Sequence, residues 1–516
     1  MVVDGRQVGA GGGDDIPHRG ARVSAFGQAS LGGGEQIFSG SHIRTLSARH
    51  TYVWDYRLKQ LSVTNVLNVC MLKAIRSNTR KYENEMTAQR PISPFEISFF
   101  GSGTKLGSVP TGGMPLFIGS TVHGSLDVEI LRRVLDELAA QHPLLCSKPV
   151  ADPDGTMRFH RDDGYRPRLD ITDGGEVEYL NLVNGPRDWR DGLFRAHLLR
   201  DGDRDQLVLV IHHGIADGRS AFALLEEMWR RYTAHATGTA VPQSDFDRNL
   251  PEAIDDQLAA VIGDAEVTEW LEQVRASVAL MGLESAPRTL PNDGVGNDPL
   301  GRFAVQRIEL DAKETDVLIE AARAHDLSVN SLLSGAALVA VRSQLEPATG
   351  PLRMVCGHAV DVRSELVPPL PVHTILNCAS GLGTPAIVSH DSSPVEVGHQ
   401  VSAGMQAALE RREPARFTLV ARRVHDEVTA AILAAAPSLA LSNIGRLPAH
   451  SVPEGIRIIR DDIYAMGPGM PPKLTIFTVG GRLTIQVEYD TALHSRAQMG
   501  KIGLALFAAL QEICAE

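Results

Sequence analysis

Residues 206 to 232 read as a strand, a sharp turn and a helix, and this succession constrains the fold more tightly than any other stretch. Leu207, Val208, Leu209, Val210 and Ile211 form an unbroken apolar run, which suits a strand buried on both faces. His212-His213-Gly214-Ile215-Ala216-Asp217-Gly218 interrupts it. From Arg219 to Tyr232, Phe222, Leu225, Met228, Trp229 and Tyr232 share one stripe, while Glu226, Glu227, Arg230 and Arg231 fall off it, as on an amphipathic helix. A strand end holds a side chain at the rim of a rigid sheet, and two glycines let the backbone turn beside it. The pattern predicts a reactive imidazole at this rim.

His213 is the candidate. An imidazole with an ordinary pKa near about 6.5 takes a proton at neutral pH and returns it. His212, one residue earlier on a strand, should point to the opposite face, so only one of the two serves a given site. Asp217 has two readings: it could orient an imidazole, or pair with a distant arginine and hold the tight loop. The chain has turned away four residues past the strand end, which favours the second. Adjacent strand histidines diverge, and no HExxH or spaced Cys/His set occurs, so no metal site is expected. Neither a GxSxG elbow nor a phosphate-cradling glycine loop ending in Lys-Ser/Thr is present. The chemistry that remains is direct attack of one substrate on another, with His213 as general base.

The 516 residues exceed one ordinary core and predict two or three domains. A net charge of -12 disfavours nucleic acid as a partner. The charge is uneven: residues 1–85 hold 11 basic and 7 acidic residues, a net of +4, and the remaining 39 and 55 give -16. Five scattered cysteines (Cys70, Cys146, Cys356, Cys378 and Cys514) fit a reducing compartment and no disulfide framework. No run of 18 apolar residues exists, so no transmembrane segment is expected. A cytoplasmic protein is expected, with a peripheral place at the membrane left open, and a monomer is the expected state.

Residues 1–85 read as a disordered extension or as residues ahead of the true start, Met86, with a weak helix at 61–76. Intact mass of the natively expressed protein separates these alternatives. Residues 86–290 should form an N-terminal lobe and 291–516 a C-terminal lobe, divided at the Gly/Pro/Asn/Asp-rich stretch from Pro287 to Pro299. Ile97, Phe99 and Phe100, then Pro115–Gly119, suggest short strands or their approaches, and Ser125 an N-cap for the helix that Pro143 stops. Asp201-Gly202-Asp203 should hairpin Leu193–Leu199 onto Leu207–Ile211. In the second half, strands are expected at Phe303–Leu310, Leu352–Cys356, Ile375–Ser380, Leu439–Gly445, Leu474–Val479 and Leu483–Tyr489. Asp311 with Glu314 marks a capping box, Ser328 caps a buried helix, and 394–412, 416–434 and 495–514 suit helices.

The His212-His213-Gly-Ile-Ala-Asp217-Gly218 stretch, with the helix ending Leu-Glu-Glu-Met-Trp-Arg-Arg-Tyr, resembles the HHxxxDG acyltransferase superfamily. Ala359-Val-Asp361-Val-Arg363-Ser-Glu-Leu-Val-Pro-Pro, with Asn377 beyond it, most resembles the phthiocerol dimycocerosyl transferase type among the polyketide-associated acyltransferases. The strand Leu483–Tyr489 followed by Asp490 is similar to the usual end of condensation-type domains. The resemblance covers roughly residues 90–516. It implies an α/β fold of two chloramphenicol-acetyltransferase-like lobes, each a mixed, mostly antiparallel sheet packed with helices, with a tunnel between them. It implies an acyl-CoA or acyl-carrier-protein thioester as donor substrate, an alcohol as acceptor and no resident cofactor. His213 would be the base, Asp217 would pair with Arg363, and Asn377, with Ser442 or Asn443, would support substrate or oxyanion. His212 and Gly218 complete the motif. An amine acceptor and a non-catalytic acyl-carrier- or lipid-binding protein are the alternatives. The DFGWG of the plant branch is missing; Ser442-Asn443-Ile-Gly445 occupies a comparable place.

Overall fold

The computed structural model describes residues 88–515, apart from 102, 242–247, 282–285, 421–432 and 434. The weak helix at 61–76, the extension at 1–85 and most of the helix expected at 416–434 lie outside the described residues; of the last, Glu413–Val420 is helical. The architecture is mixed α/β, built on two main sheets.

The first sheet has the order Arg457–Tyr464, Pro115–His123, Arg204–His212, Phe194–Asp201, Leu169–Asp173. Only its last pairing is parallel. Arg204–His212 lies at the centre, and every residue from Asp205 to His212 is buried, as the apolar run requires. Gly202 has φ +64° in the turn that hairpins this strand onto Phe194–Asp201.

The second sheet has the order Phe303–Leu310, Arg482–Asp490, Lys473–Val479, Leu439–Leu447, Leu352–Asp361, Ala379–Val388. Its two inner pairings, made by Leu439–Leu447 with its neighbours, are parallel and the others antiparallel. Helices Ala312–Ala324, Val329–Arg342 and Arg496–Ala515 supply the apolar residues of one core against it. Asp311 and Glu314 form the expected capping box, and Ser328 caps the buried helix.

The division at residue 290 is not a clean cut. Arg457–Tyr464 comes from the second half yet pairs along Phe117–His123 of the first sheet. Hydropathy hid this strand, because Arg460, Asp461 and Asp462 interrupt it. Its buried charges are answered from both halves. Asp461 accepts from Ser120 Oγ (2.5 Å), and Asp462 from Arg307 Nε (2.5 Å) and Gln486 Nε2 (2.9 Å). The first core likewise takes in Leu376, Cys378, Ile444 and Phe477 from the second half.

Three local expectations are corrected. Ile97, Phe99 and Phe100 do not form a strand: Ser93 and Glu96 make a capping box for the helix Pro94–Ile97, and the two phenylalanines follow it in a turn. Asp127, not Ser125, caps Val128–Gln141, accepting from the Glu129 and Ile130 amides at 2.8 and 3.0 Å. The strand expected at Ile375–Ser380 is Ala379–Val388; Gly381, Gly383 and Pro385 look like turn signals but sit on the outermost strand, where proline loses no ladder bond. Among the described residues, no single helix is long and apolar enough to cross a membrane.

Candidate active site

The central strand ends at His212, and the two histidines diverge as strand alternation demands. His212 is caged. Its ring stacks on Phe100 at 4.2 Å and 4°, the Trp189 edge meets it at 4.9 Å, and its Nδ1 accepts from the Gly214 amide at 3.0 Å. Gly214 is demanded by this crowding: a Cβ there would stand 2.8 Å from Phe100, 2.9 Å from Phe99 Cβ and 3.0 Å from His212 Nδ1. Burial pushes the His212 imidazole down to about 3.

His213 instead lines a cavity of about 350 Å³. Its ring stacks on Phe99 at 5.6 Å, and its amide donates to Met114 O at 3.0 Å. Its Nδ1 is buried with no hydrogen-bond partner among the described residues. Burial above all pushes this imidazole down to about 4; the Lys473 ammonium acts in the same direction and Asp217 against it. The ring is therefore neutral, and able to accept a proton, at pH 7.

Asp217 does not reach that ring. As N-cap of Gly218–Thr237 it accepts from the Ser220 amide at Oδ1 (2.9 Å). Its Oδ2 accepts from Arg363 Nη1 (2.6 Å) and the Cys378 amide (2.8 Å). Burial would raise this carboxyl, but the Arg363 guanidinium and the Ser220 amide together help hold it well below the usual carboxylate range. Arg363 also donates to Leu376 O (2.8 Å) and Asp361 Oδ1 (3.1 Å). Of the two readings open in the sequence, the geometry selects the anchor: one guanidinium ties the helix start of the first half to two segments of the second. Gly218 is the buried first residue of that helix.

Asn377 strengthens the tie. Its Nδ2 donates to His213 O (2.9 Å) and its Oδ1 accepts from the Ala379 amide (3.1 Å). It also lines the cavity, as does Ser442, whose buried hydroxyl has no partner among the described residues. Asn443 is placed differently. Its side chain accepts from the Gly445 amide at 2.9 Å, where the strand register shifts, and it is not part of the cavity wall.

Sequence reasoning missed the aromatic supports Phe99, Phe100 and Trp189, as well as Lys473. The lysine lines the cavity fully buried, donating to Ala465 O (2.6 Å) and to Glu488 Oε2 (2.9 Å), its partner in strand register. Burial lowers the Lys473 pKa and raises that of Glu488, each opposed by the other's charge. A lone lysine opening an apolar strand, with a lone glutamate on the next, was the available signal. Among the described residues no group of three or more His, Cys, Asp or Glu could hold a metal, and Cys146, Cys356, Cys378 and Cys514 are free thiols.

The buried neutral histidines make stability acid-sensitive. His212, His213 and His358 have folded pKa values of about 3, 4 and 3, below the ordinary histidine value near 6.5. Their folded-state pKa is lowered, so below pH 6.5 the unfolded chain binds more protons and stability falls with pH, by about 1.4 kcal/mol per unit for each imidazole. Denaturant midpoints are expected to drop between pH 6.5 and 5, and His197, which burial likewise lowers to about 4, adds to the slope. A flat midpoint over that window would contradict the burial.

An anchored loop presenting a histidine to an apolar cavity stands here on the condensation and chloramphenicol-acetyltransferase-like fold. The comparisons agree. Residues 299–488 match the family described as Phthiocerol/phthiodiolone dimycocerosyl transferase C-terminus. A phthiocerol/phthiodiolone dimycocerosyl transferase of Mycobacterium leprae is 26% identical over 294 residues, 56% of this chain and 68% of the relative. One from Mycobacterium sp. strain JLS is 25% identical over 379 residues, covering 72% and 87%. Polyketide synthase associated protein 5 from Mycobacterium tuberculosis shares the fold with a TM-score of 0.59 at 20% identity, over 82% of this chain and 98% of that one. The trichothecene 15-O-acetyltransferase of Fusarium sporotrichioides does so with a TM-score of 0.62 at 11% identity, over 82% and 95%.

Proposed function

We propose that the enzyme moves an acyl group from a CoA or carrier-protein thioester to a hydroxyl acceptor by direct attack. The observation that carries this reading is the buried, uncharged imidazole of His213 on the wall of an apolar cavity shared by both halves. Nδ1 is buried, so the base role falls to Nε2. That atom takes the acceptor's proton as its oxygen attacks the thioester carbonyl. The tetrahedral oxyanion collapses, the carbon–sulfur bond breaks, and the leaving thiolate takes the proton back from the imidazolium.

The protein holds the geometry. No serine, threonine or cysteine of the cavity wall is hydrogen-bonded to His213 among the described residues, which supports direct attack over an acyl-enzyme. Ser442 offers the unengaged hydroxyl for a substrate or oxyanion oxygen, and preorganised donors of this kind act on developing charge. Asn377 acts through the backbone of His213 and is a positioning residue.

Thiol release from acyl-CoA and from acyl-carrier donors, measured with panels of alcohols and amines, tests the reading. Ester formation dependent on an alcohol is the expected result. Amide formation with amines alone would replace the hydroxyl acceptor, and binding without release for every donor would favour an acyl-carrier- or lipid-binding protein.

A further inference from the structure

Part of the cavity floor is a patch of small residues on the second sheet. Gly357 pairs with Gly383 and Ala359 with Gly381 on the outer two strands, and Gly357 pairs with Ala440 on the third. Ser442 follows Ala440 two residues on, pointing to the same face. All six of these small residues line the cavity. Intervening residues on the same strands, among them Met354, Cys356 and Leu439, are core residues of the opposite face. The floor is thus locally free of bulk, with Val355 at its edge.

The dimensions follow from sheet geometry. Three strands across and two residues along make a floor of roughly 10 Å by 7 Å. That is a slot and not a single-file tube. Phe99, Leu106, Trp270, Phe417 and Met470 close it with apolar surface. The Ser442 hydroxyl, 1% exposed and unpartnered, supplies a polar atom on the same wall for a bound group to satisfy.

We infer that this floor of small residues is the size filter of the enzyme, admitting a branched or ring-bearing hydrocarbon group of one substrate beside His213. The inference rests on the acyltransferase reading of the site. The hydrocarbon could belong to the acyl group or to the acceptor, and the two arms of the experiment separate them. Gly381 and Gly383 are the positions to fill. Neither has a left-handed backbone, and an added Cβ would meet Phe417 Cε1 at 3.4 Å and Val355 Cγ1 at 3.3 Å respectively. Gly357 is unsuitable, because a Cβ there would stand 2.9 Å from Pro437 Cγ.

The full chain carrying Gly381→Val or Gly383→Val is compared with wild type in two series. One varies the acyl-CoA donor (straight, methyl-branched and cyclohexyl-bearing) against a fixed alcohol; the other varies the alcohol likewise against a fixed donor. The ratio of kcat/KM for wide over straight substrates should fall at least about 10-fold in one series, as a filled hydrocarbon pocket discriminates. Phe417→Ala, which removes the ring over Gly381, should shift the ratio the other way. Ratios unchanged in both series, with thermal unfolding like wild type, would overturn the filter. Because the ratio is read within each variant, it decides the floor separately from His213→Ala, which decides the base.

Discussion

His213→Ala should lower acceptor-dependent thiol release by about 10³-fold, with kcat carrying most of the loss and donor KM changing little. The imidazole acts on a proton that moves in the transition state, so its removal leaves ground-state contacts with the donor largely intact. The fold should survive, since His213 makes no side-chain hydrogen bond through Nδ1 and its main-chain ties to Met114 and Asn377 remain. The pH profile gives a second readout. A base must be uncharged, and burial holds this one down to about 4, so the rate should stay level from pH 8 to about 5 and fall below that. Undiminished turnover in the alanine variant would remove His213 from the chemistry. An acid limb near pH 6.5 would mean that the ring is solvated.

The second large effect is on stability. Arg363→Ala leaves the Asp217 carboxylate fully buried, with two amide donors and no counter-charge. Breaking a buried pair in this way costs about 3–5 kcal/mol. Arg363→Lys should recover little, because a point-charge ammonium cannot reach Asp217, Asp361 and Leu376 O together. In a double-mutant cycle, Asp217→Ala combined with Arg363→Ala should be less destabilising than the sum of the two single changes. The low carboxyl pKa makes this contribution present above the ordinary value near 3.8 and lost as pH falls further, a window below that of the buried histidines. An Arg363→Ala protein with the denaturant midpoint and activity of wild type would show that the pair anchors nothing.

Much of the fold was legible because it is local. The capping box at Asp311 and Glu314, the cap at Ser328 and the hairpin around Asp201–Asp203 rest on residues three or fewer apart, and the chain adopts them as read. What misled was sequence whose local preference is overridden from afar. Arg457–Tyr464 carries buried aspartates that read as surface until Ser120, Arg307 and Gln486 are brought to them. Ala379–Val388 looks like a turn because its glycines have their reason in the cavity and not in the backbone.

By itself, the sequence determined that a strand would deliver a histidine to a sharp turn, that its neighbour would face away, and that the following helix would be amphipathic. Those properties follow from the periodicities of strand and helix, which hold wherever the segment lies. Only the tertiary structure decided what surrounds the turn: that Asp217 spends its carboxylate on Arg363, Cys378 and Ser220, that Asn377 grips His213 by its carbonyl, and that Asn443 is occupied elsewhere. It also decided that small residues from three strands share one floor. The ties of Asp217 to Arg363 and Cys378 and of Asn377 to His213 join segments more than 100 residues apart, and the floor is set by strand register, which no local pattern specifies.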